Sequence, residues 1–348
     1  MLRLDDAINA AAIATPQEPI RVQQIPGLTV HVDGDALAYS AAGNEERDPG
    51  EARVAAHDKL AMFKSRVGAE NVVVHTTHQA SQKGERYLIA TVKPYQGNRV
   101  GGTKPKNHGY LQNYLQTYEG GDFRAKLWTT READDGIGAC SHFAAQSELG
   151  YCAIAADDKD MRMMPGLHVS WRQPQFVTRV PPGGYDIRGE DGKQYGLKFF
   201  FLQMLMGDTA DNCPGLELYQ THNAKGEKVW SKCGEKTAEK LLDDCRTVQE
   251  ACARTIGLYI RGYFGSPLED ALDRWCEQAG LMWMRLGNDA AVADFAHHDG
   301  LSRINHCFDN AMWAAVERLE TRVKIAREQI SSLGCSDDPL AADCSSKG

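Results

Sequence analysis

No apolar run in this sequence approaches the roughly 18 residues of a membrane-spanning helix. The densest apolar stretch, Leu197 to Met206, is short and carries Lys198 and Gln203. The N-terminus turns acidic early and has no apolar core, so a secretory signal is not expected. These absences predict a cytoplasmic protein without a membrane. The ten cysteines (Cys140, Cys152, Cys213, Cys233, Cys245, Cys252, Cys276, Cys307, Cys335 and Cys344) include no Cys-x-x-Cys pair. They read as free thiols in a reducing compartment, not as a disulfide framework. There is no Gly-x-x-x-x-Gly-Lys-Ser/Thr loop, no His-Glu-x-x-His and no complete Gly-x-Gly-x-x-Gly. Gly136-Ile-Gly138 lacks the third glycine and follows acidic residues that would repel a pyrophosphate. ATPase, zincin and dinucleotide chemistry are therefore poor fits. A basic excess is missing as well. Lys and Arg number 39 against 47 Asp and Glu, a net charge of −8, which argues against a simple basic nucleic-acid binder.

The 348 residues are 42% hydrophobic and 25% charged, enough to bury a sizeable core and, by length, to form about two domains. Residues 1–27 read as a short helix plus a linker closed by Pro26-Gly27. Runs of β type at Leu28–Val32, Val72–His75, Phe123–Thr129, Tyr151–Ala155 and Leu167–Trp171 alternate with helical patterns over 51–67 and Gly136–Leu149. That alternation predicts an α/β domain with a largely parallel sheet. After Pro181-Pro-Gly-Gly184 the character becomes helical over 197–332, and the last residues are polar and expected to be mobile.

Acidic residues follow the apolar runs. Asp33 and Asp35 follow Leu28–Val32, and Asp158 and Asp160 follow Tyr151–Ala156, both at a spacing of two that puts side chains on one side of an extended chain. Glu132, Asp134 and Asp135 follow Leu127–Thr130 and open a helix, while Asp208 and Asp211 follow the helix ending near Met206. Taken singly, each cluster is explained as well by helix capping or a turn. Taken together they point to one pocket, because ligand sites in open α/β sheets lie at the carboxyl ends of strands. Like charges about 4 Å apart repel by about 4 kcal/mol at an effective dielectric near 20. Oxygen-only ligands select hard cations, Mg²⁺ or Mn²⁺, over Zn²⁺. Two such ions roughly 3.5–4 Å apart drive in-line phosphodiester hydrolysis.

In this order the motifs resemble the 5′→3′ exonuclease/flap endonuclease family, most closely its small phage-encoded exonucleases. The matching pieces are Val32-Asp-Gly-Asp35, Tyr95-Gln-Gly-Asn-Arg99, Arg131-Glu-Ala-Asp-Asp135, Asp158-Lys-Asp160, Met206-Gly-Asp-Thr-Ala-Asp-Asn212, and Pro214-Gly215 with Gly234-Glu-Lys-Thr-Ala238, spanning about residues 29–245. The resemblance implies a PIN-like (resolvase-like) α/β nuclease domain with a largely parallel central sheet, followed by a helical domain containing a helix–three-turn–helix that grips duplex DNA. The corresponding boundaries are an N-terminal extension at 1–27, the nuclease domain at 28–196, the helical domain at 197–332 with its DNA-binding element near 207–245, and a tail at 333–348. In the implied two-metal site, Asp33, Glu132, Asp134 and Asp135 serve one Mg²⁺ or Mn²⁺ ion. Asp158, Asp160, Asp208 and Asp211 complete the second ion's site, partly through water, and Asp35 supports the ligands from behind.

Two departures stand out. Thr77 occupies the place of an acidic residue at the end of the second strand, and Gln96 replaces a lysine that reaches the scissile phosphate. Lys93 or Arg86 is expected to take over the phosphate contact, with Gln96 beside it. The segment 83–110 carries Lys83, Arg86, Tyr87, Lys93, Tyr95, Arg99, Lys104, Lys106, His108 and Tyr110. In the family this region arches over the 5′ strand, with basic groups on phosphates and rings on unpaired bases, although the same residues also suit a solvated loop. Tyr95, Arg99, Lys104 and Lys106 are the DNA-contacting candidates there. Gly215, Lys232, Gly234, Lys236 and Thr237 are those of the helical element, where some members also hold K⁺. The long polar spacer Leu216 to Ser231 is unusual inside such an element.

The expected activity is 5′→3′ hydrolysis of duplex DNA with a 5′ end, flap or nick, with RNA–DNA hybrid as a further substrate. The chain as given carries no polymerase domain, which suits a phage replication or recombination protein in the bacterial host cytoplasm. The alternatives are a PIN-type ribonuclease, which would not need the helical element, and a DNA-junction binding protein with an impaired site. The eight proposed ligands equal the acidic excess, so the overall charge does not oppose DNA binding once ions offset them.

Overall fold

Apolar β-branched runs that are buried on both faces belong in a parallel sheet covered by helices, and Val72-Val73-Val74 lies in one such strand. The computed structural model describes residues 22–332 apart from 45, 100, 223–224, 264, 288, 290 and 298–303. The expected segments 1–21 and 333–348 lie outside the described residues. Strand β1 (Ile25–Asp33) begins three residues before the expected boundary and is bulged between Ile25 and Thr29. It is flanked by β2 (Ala69–Thr77) and β4 (Ala153–Ala155), both parallel to it. The sheet runs β3-β2-β1-β4-β5-β6, with β3 at Arg124–Trp128, β5 at Gly166–Val169 and an antiparallel edge strand β6 at Val177–Val180. The strand order therefore reverses between β1 and β4. Every expected strand is present, and β6 lies beyond the expected set because its four residues alternate too briefly to stand out.

Helices α1 (Gly34–Ala41), α2 (Pro49–Val67) and α3 (His108–Gln116) cover one face, burying Leu28, Val30, Val32, Leu60, Phe63 and Leu111. Helix α2 starts on a capping box, Asp48 with Glu51, and has Pro49 in its first turn. The other face receives α4 (Ala133–Ala145). Its Ile137 joins one cluster with Ile154, Phe200, Trp275, Trp283 and Leu319. That cluster crosses residues 196 and 197, so the helices after α4 share their core with the sheet and do not build a separate one.

After a short hairpin, β7 (Ile187–Arg188) with β8 (Gln194–Tyr195), helix α5 (Leu197–Met206) is buried on nearly every side. That explains why its sequence is apolar all round. Lys198 is neutralised by Asp186 at 2.8 Å. The polar spacer after α5 is an antiparallel hairpin, β9 (Tyr219–His222) with β10 (Lys228–Ser231). Helices α6 (Glu235–Leu241), α7 (Val248–Gly262), α8 (Leu268–Met282) and α9 (Asn310–Ser332) follow. No helix among the described residues is long and apolar enough to cross a membrane, and the eight described cysteines are all free.

Candidate active site

Diverging connections at the β1/β4 reversal open a crevice beyond the strand ends, and the acidic motifs meet there. Asp33 ends β1 and caps α1, its Oδ1 accepting from the amides of Asp35 and Ala36 at 3.0 Å. Burial first, then Asp35 and Asp158, push the Asp33 carboxyl up to about 7. Asp35 sits on the cavity wall and accepts from the Thr77 amide at 3.2 Å. Thr77 lines the same wall, and its hydroxyl accepts from the Ala133 amide at 2.9 Å, helping to start α4. Glu132 and Asp135 cap that helix reciprocally. Asp158 follows β4 and accepts from the Asp160 amide at 2.8 Å, and burial pushes its carboxyl up to about 6. For Asp33 and Asp158 the capping reading and the site reading therefore hold together: Oδ1 takes the backbone amides, and Oδ2 is left for the crevice.

The carboxylates gather in two groups, Glu132–Asp134–Asp135 and Asp160–Asp208–Asp211, each with oxygens within 4.8 Å of one another. Burial, followed by neighbouring carboxylates, holds Asp134 and Asp160 well above the usual range. Glu132 is raised by burial, partly countered by Arg86. Tyr95 and Gln96 tie the groups together. The Tyr95 hydroxyl reaches Glu132 at 2.7 Å and Asp211 at 3.3 Å, and Gln96 Nε2 donates to the same two residues at 2.9 and 3.1 Å. The motif around Gln96 docks on the 208–212 loop through Gln96 N to Asp211 O, Asn212 Nδ2 to Pro94 O and an Arg99–Asp211 ion pair. A cavity of about 130 Å³ lies between Asp33, Asp134, Asp158, Asp211 and Gln96. A larger one of about 680 Å³ adjoins it, sharing Asp33 and Asp158 and including Asp208, Arg162 and Lys193.

Several expected site residues occupy different places. Arg86 is only 3% exposed and cannot reach a phosphate in the crevice. It grips fully buried Asp135 with two bonds of 2.7 and 2.8 Å and donates to the carbonyls of Leu281 and Trp283. Against the opposing effect of burial, this guanidinium holds the Asp135 carboxyl below its ordinary range. The Arg285 amide also donates to Asp135, at 2.9 Å. Asp135 is thus the bolt between α4 and the 281–287 segment, with its oxygens already engaged. Lys93 is exposed and outside the cavity lining. Tyr95 spends its hydroxyl on carboxylates, so it is not presented for stacking on a base. Gly215 is buried, and its amide donates to Gln278 Oε1 at 2.9 Å, which removes it as a phosphate donor. Lys104 and Lys106 are exposed in the loop before α3. Lys232, Gly234 and Lys236 are exposed around the start of α6, with Thr237 half-buried.

Lys83, a member of the basic segment 83–110 that sequence alone does not single out, stands beside the site. Its Nζ donates to Gln96 Oε1 at 2.8 Å. Lys159 pairs with Asp208, Arg99 with Asp211 and Arg86 with Asp135, whereas the partner of Lys83 is a neutral amide. Lys83 and Gln96 both have left-handed backbones, at φ 49° and 55°, a conformation non-glycine residues rarely hold without support from their surroundings. A third group, His31, His75 and Cys140, also has metal-ligand geometry. There Trp128 Nε1, which can only donate, reaches His75 Nδ1 at 3.0 Å, so His75 Nε2 carries the proton given to His31 Nδ1 at 2.9 Å. That proton bars a metal from His75 Nε2, and Trp128, His75 and His31 form a hydrogen-bonded chain in which both histidines are buried. Gly136, one of the two dinucleotide-like glycines, is required because the Trp128 indole lies where its Cβ would be, at 2.1 Å.

No protein-family model and no curated protein matches the chain. Among solved structures, it is similar to the bacteriophage T5 flap endonuclease in a pseudo-enzyme–product complex with DNA and metal ions. That match has 13% identity and a TM-score of 0.49, over 85% of this chain and 99% of the other. It is also similar to the T5 5′-exonuclease with bound zinc ions, at 14% identity and a TM-score of 0.48, over 85% and 99%.

Proposed function

We propose that the chain is a metal-dependent nuclease that hydrolyses phosphodiester bonds of duplex DNA from 5′ ends, flaps or nicks. The observation that carries this reading is the convergence of two carboxylate groups, from four sequence motifs, on the reversal point of the sheet. Their donor set is oxygen only, and burial, followed by neighbouring carboxylates, raises the carboxyls of Asp33 and Asp158, so that a bound cation would favour their ionised forms. Both features fit hard divalent cations. The residues that would hold them are Asp33, Glu132 and Asp134 on one side and Asp158, Asp160, Asp208 and Asp211 on the other. Two Mg²⁺ or Mn²⁺ ions bound there would supply a water nucleophile active at neutral pH and charge compensation for the leaving oxygen.

The protein's own part is to fix distances and place a cation. Tyr95 and Gln96 hold Glu132 and Asp211 at a set separation. Asp135 and Arg86 lock the α4 end of the site against the 281–287 segment. Lys83, presented through Gln96, offers its ammonium group to the substrate phosphate, in the place expected for Lys93 or Arg86. Thr77 and Gln96 are integral to the hydrogen bonding of the site, so a glutamine paired with Lys83 is a substitute arrangement and not a lost one.

The test is a 5′-labelled linear duplex incubated with Mg²⁺, with EDTA, and with the Asp134→Asn variant. Release of label in the first sample alone supports the proposal. Binding without cleavage in both Mg²⁺ and Mn²⁺ would replace it with a junction-binding role. Cleavage confined to single-stranded RNA would replace it with a ribonuclease.

A further inference from the structure

The polar spacer between α5 and α6 is a hairpin with one unusual face. In β-strands alternate residues point to opposite sides, and the exposure here follows that period. Leu218, Gln220 and His222 are exposed on one strand, and Lys228, Trp230 and Lys232 on the other, while Tyr219, Val229 and Ser231 are half-buried. The register sets Trp230 opposite Gln220 and Lys228 opposite His222. Tyr219 on the inner face packs against the helical core, and β9 lies along α7. The fold therefore accounts for the inner face and leaves the outer one unexplained. Trp230 is 45% exposed and Leu218 50% exposed. The indole of Trp230 thus presents nearly half its surface to solvent, beside the exposed Leu218 and between two lysines. None of the six outward residues is acidic. Among the described residues neither Lys228 nor Lys232 makes an ion pair, and Glu217, just before the hairpin, is engaged by the Tyr263 hydroxyl at 3.0 Å.

We propose that this face, Trp230 between Lys228 and Lys232, is a DNA-contacting site in which the lysines meet backbone phosphates and the indole stacks on an exposed base. The inference rests on the nuclease reading above. Three points favour nucleic acid over a protein or lipid partner. The strand spacing of about 3.3 Å per residue sets Lys228, which opens β10, and Lys232, which follows it, roughly 13 Å apart, within the span of a few phosphates on one strand. An aromatic ring between cations is the pattern that binds unpaired bases without sequence preference. Finally, Lys232 leads directly into Gly234 and Lys236, so the face continues the proposed DNA-contacting surface of α6.

The experiment measures binding of a fluorescein-labelled duplex bearing a 5′ single-stranded arm, with Ca²⁺ in place of Mg²⁺, across a series of KCl concentrations. Trp230→Ala is expected to weaken binding about ten-fold, and Trp230→Phe, which keeps a ring, to recover most of it. Lys228→Gln with Lys232→Gln should lower the slope of log affinity against log salt by about 2. In the unmodified protein, iodide should quench part of the tryptophan emission, and DNA should protect that part; the Trp230→Phe variant should lack it. These side chains are exposed, so the variants should keep the parental melting temperature. If the unmodified protein binds this DNA and the variants bind it equally well with the same salt slope, the hairpin inference is overturned and the nuclease reading stands. If the unmodified protein does not bind it at all, both fall. If DNA gives no protection from iodide while raising the concentration of this protein does, the inference is overturned and the face belongs to a second copy of the chain.

Discussion

The two carboxylate groups of the crevice have different charges behind them. Behind Glu132, Asp134 and Asp135 lies a buried arginine, and Asp135 is held below its ordinary range by Arg86. Behind Asp158, Asp160 and Asp208 lies a neutral glutamine, Gln203, which donates to Asp160. The cations on that side are half-exposed Lys159, at 3.0 Å from Asp208, and exposed Arg99, paired with Asp211. One group is braced from within the fold, while the other meets its protein cations only at the solvent-facing rim. An acidic motif therefore does not specify how each acid is used: within Glu132-Ala-Asp-Asp135, consecutive aspartates are a candidate ligand and a structural anchor.

Breaking the braced side should have the largest effect, and it should be on stability. Removing one partner of a buried ion pair leaves an unpaired charge and costs about 3–5 kcal/mol. Arg86→Met and Asp135→Asn should each lower the urea midpoint of the metal-free protein by a corresponding amount. If Arg86→Met keeps its stability and changes only KM, Arg86 is a phosphate contact after all. Next in size is Asp134→Asn, which should reduce turnover on the order of 10²–10³-fold, the range for losing one group that stabilises transition-state charge. Because Asp134 is crowded by Asp135, Glu132 and Asp158, the same change should raise the melting temperature in EDTA. A variant that loses both activity and stability would place Asp134 with Asp135 as an anchor.

Lys83 sharpens the comparison at the rim. A hydrogen bond to a charged group contributes about 1.5–3 kcal/mol, so Lys83→Ala should lower kcat/KM by about 10- to 100-fold, while Lys93→Ala should stay within about two-fold. Gln96→Lys places a charge beside the same cavity, so the Lys83→Ala/Gln96→Lys double variant should recover activity. Equal losses for Lys83→Ala and Lys93→Ala would refute the assignment.

Much of this site was legible in the sequence because its acids follow apolar runs, and a strand end is local information. Asp33, Glu132, Asp134, Asp158, Asp160, Asp208 and Asp211 all reach the crevice region, and so does Gln96. What was not legible depends on pairing across the chain. Arg86 lies 49 residues from Asp135 and 197 from the Trp283 carbonyl, and no spacing rule connects them. Gly215 resembles a phosphate-binding turn until Gln278, 63 residues on, takes its amide. Lys83 meets Gln96, 13 residues on, where both backbones adopt a rare conformation that propensity does not favour. The hairpin is illegible for another reason: its outward residues are mostly polar and its strands have four residues each, too short for the alternation to stand out from a polar spacer.

The smallest expected effect separates the two groups by pH. An acid whose folded pKa is raised disfavours its ionised form in the folded state. Its penalty is absent below the unfolded pKa, near 3.8, grows as pH rises, and is complete above the folded value. With Asp33 at about 7 and Asp158 at about 6, metal-free stability should lose this contribution between about pH 4 and 7. Asp135 behaves in the opposite sense: its folded pKa is lowered, so its contribution is present above the unfolded value and is lost as pH falls below it. His31, lowered to about 4 by burial, also costs stability on acidification, from about pH 6.5 downward, because the unfolded chain takes up a proton that the folded chain refuses. The histidine lies outside the crevice, so its effect cancels when melting temperatures with Mg²⁺ and with EDTA are subtracted at each pH. The difference should be larger at pH 7.5 than at pH 5 by about 2–4 °C for each kcal/mol of relieved repulsion, and Asp158→Asn should shrink it. A difference that is the same at both pH values would mean that the unbraced carboxylates are not where the cation binds.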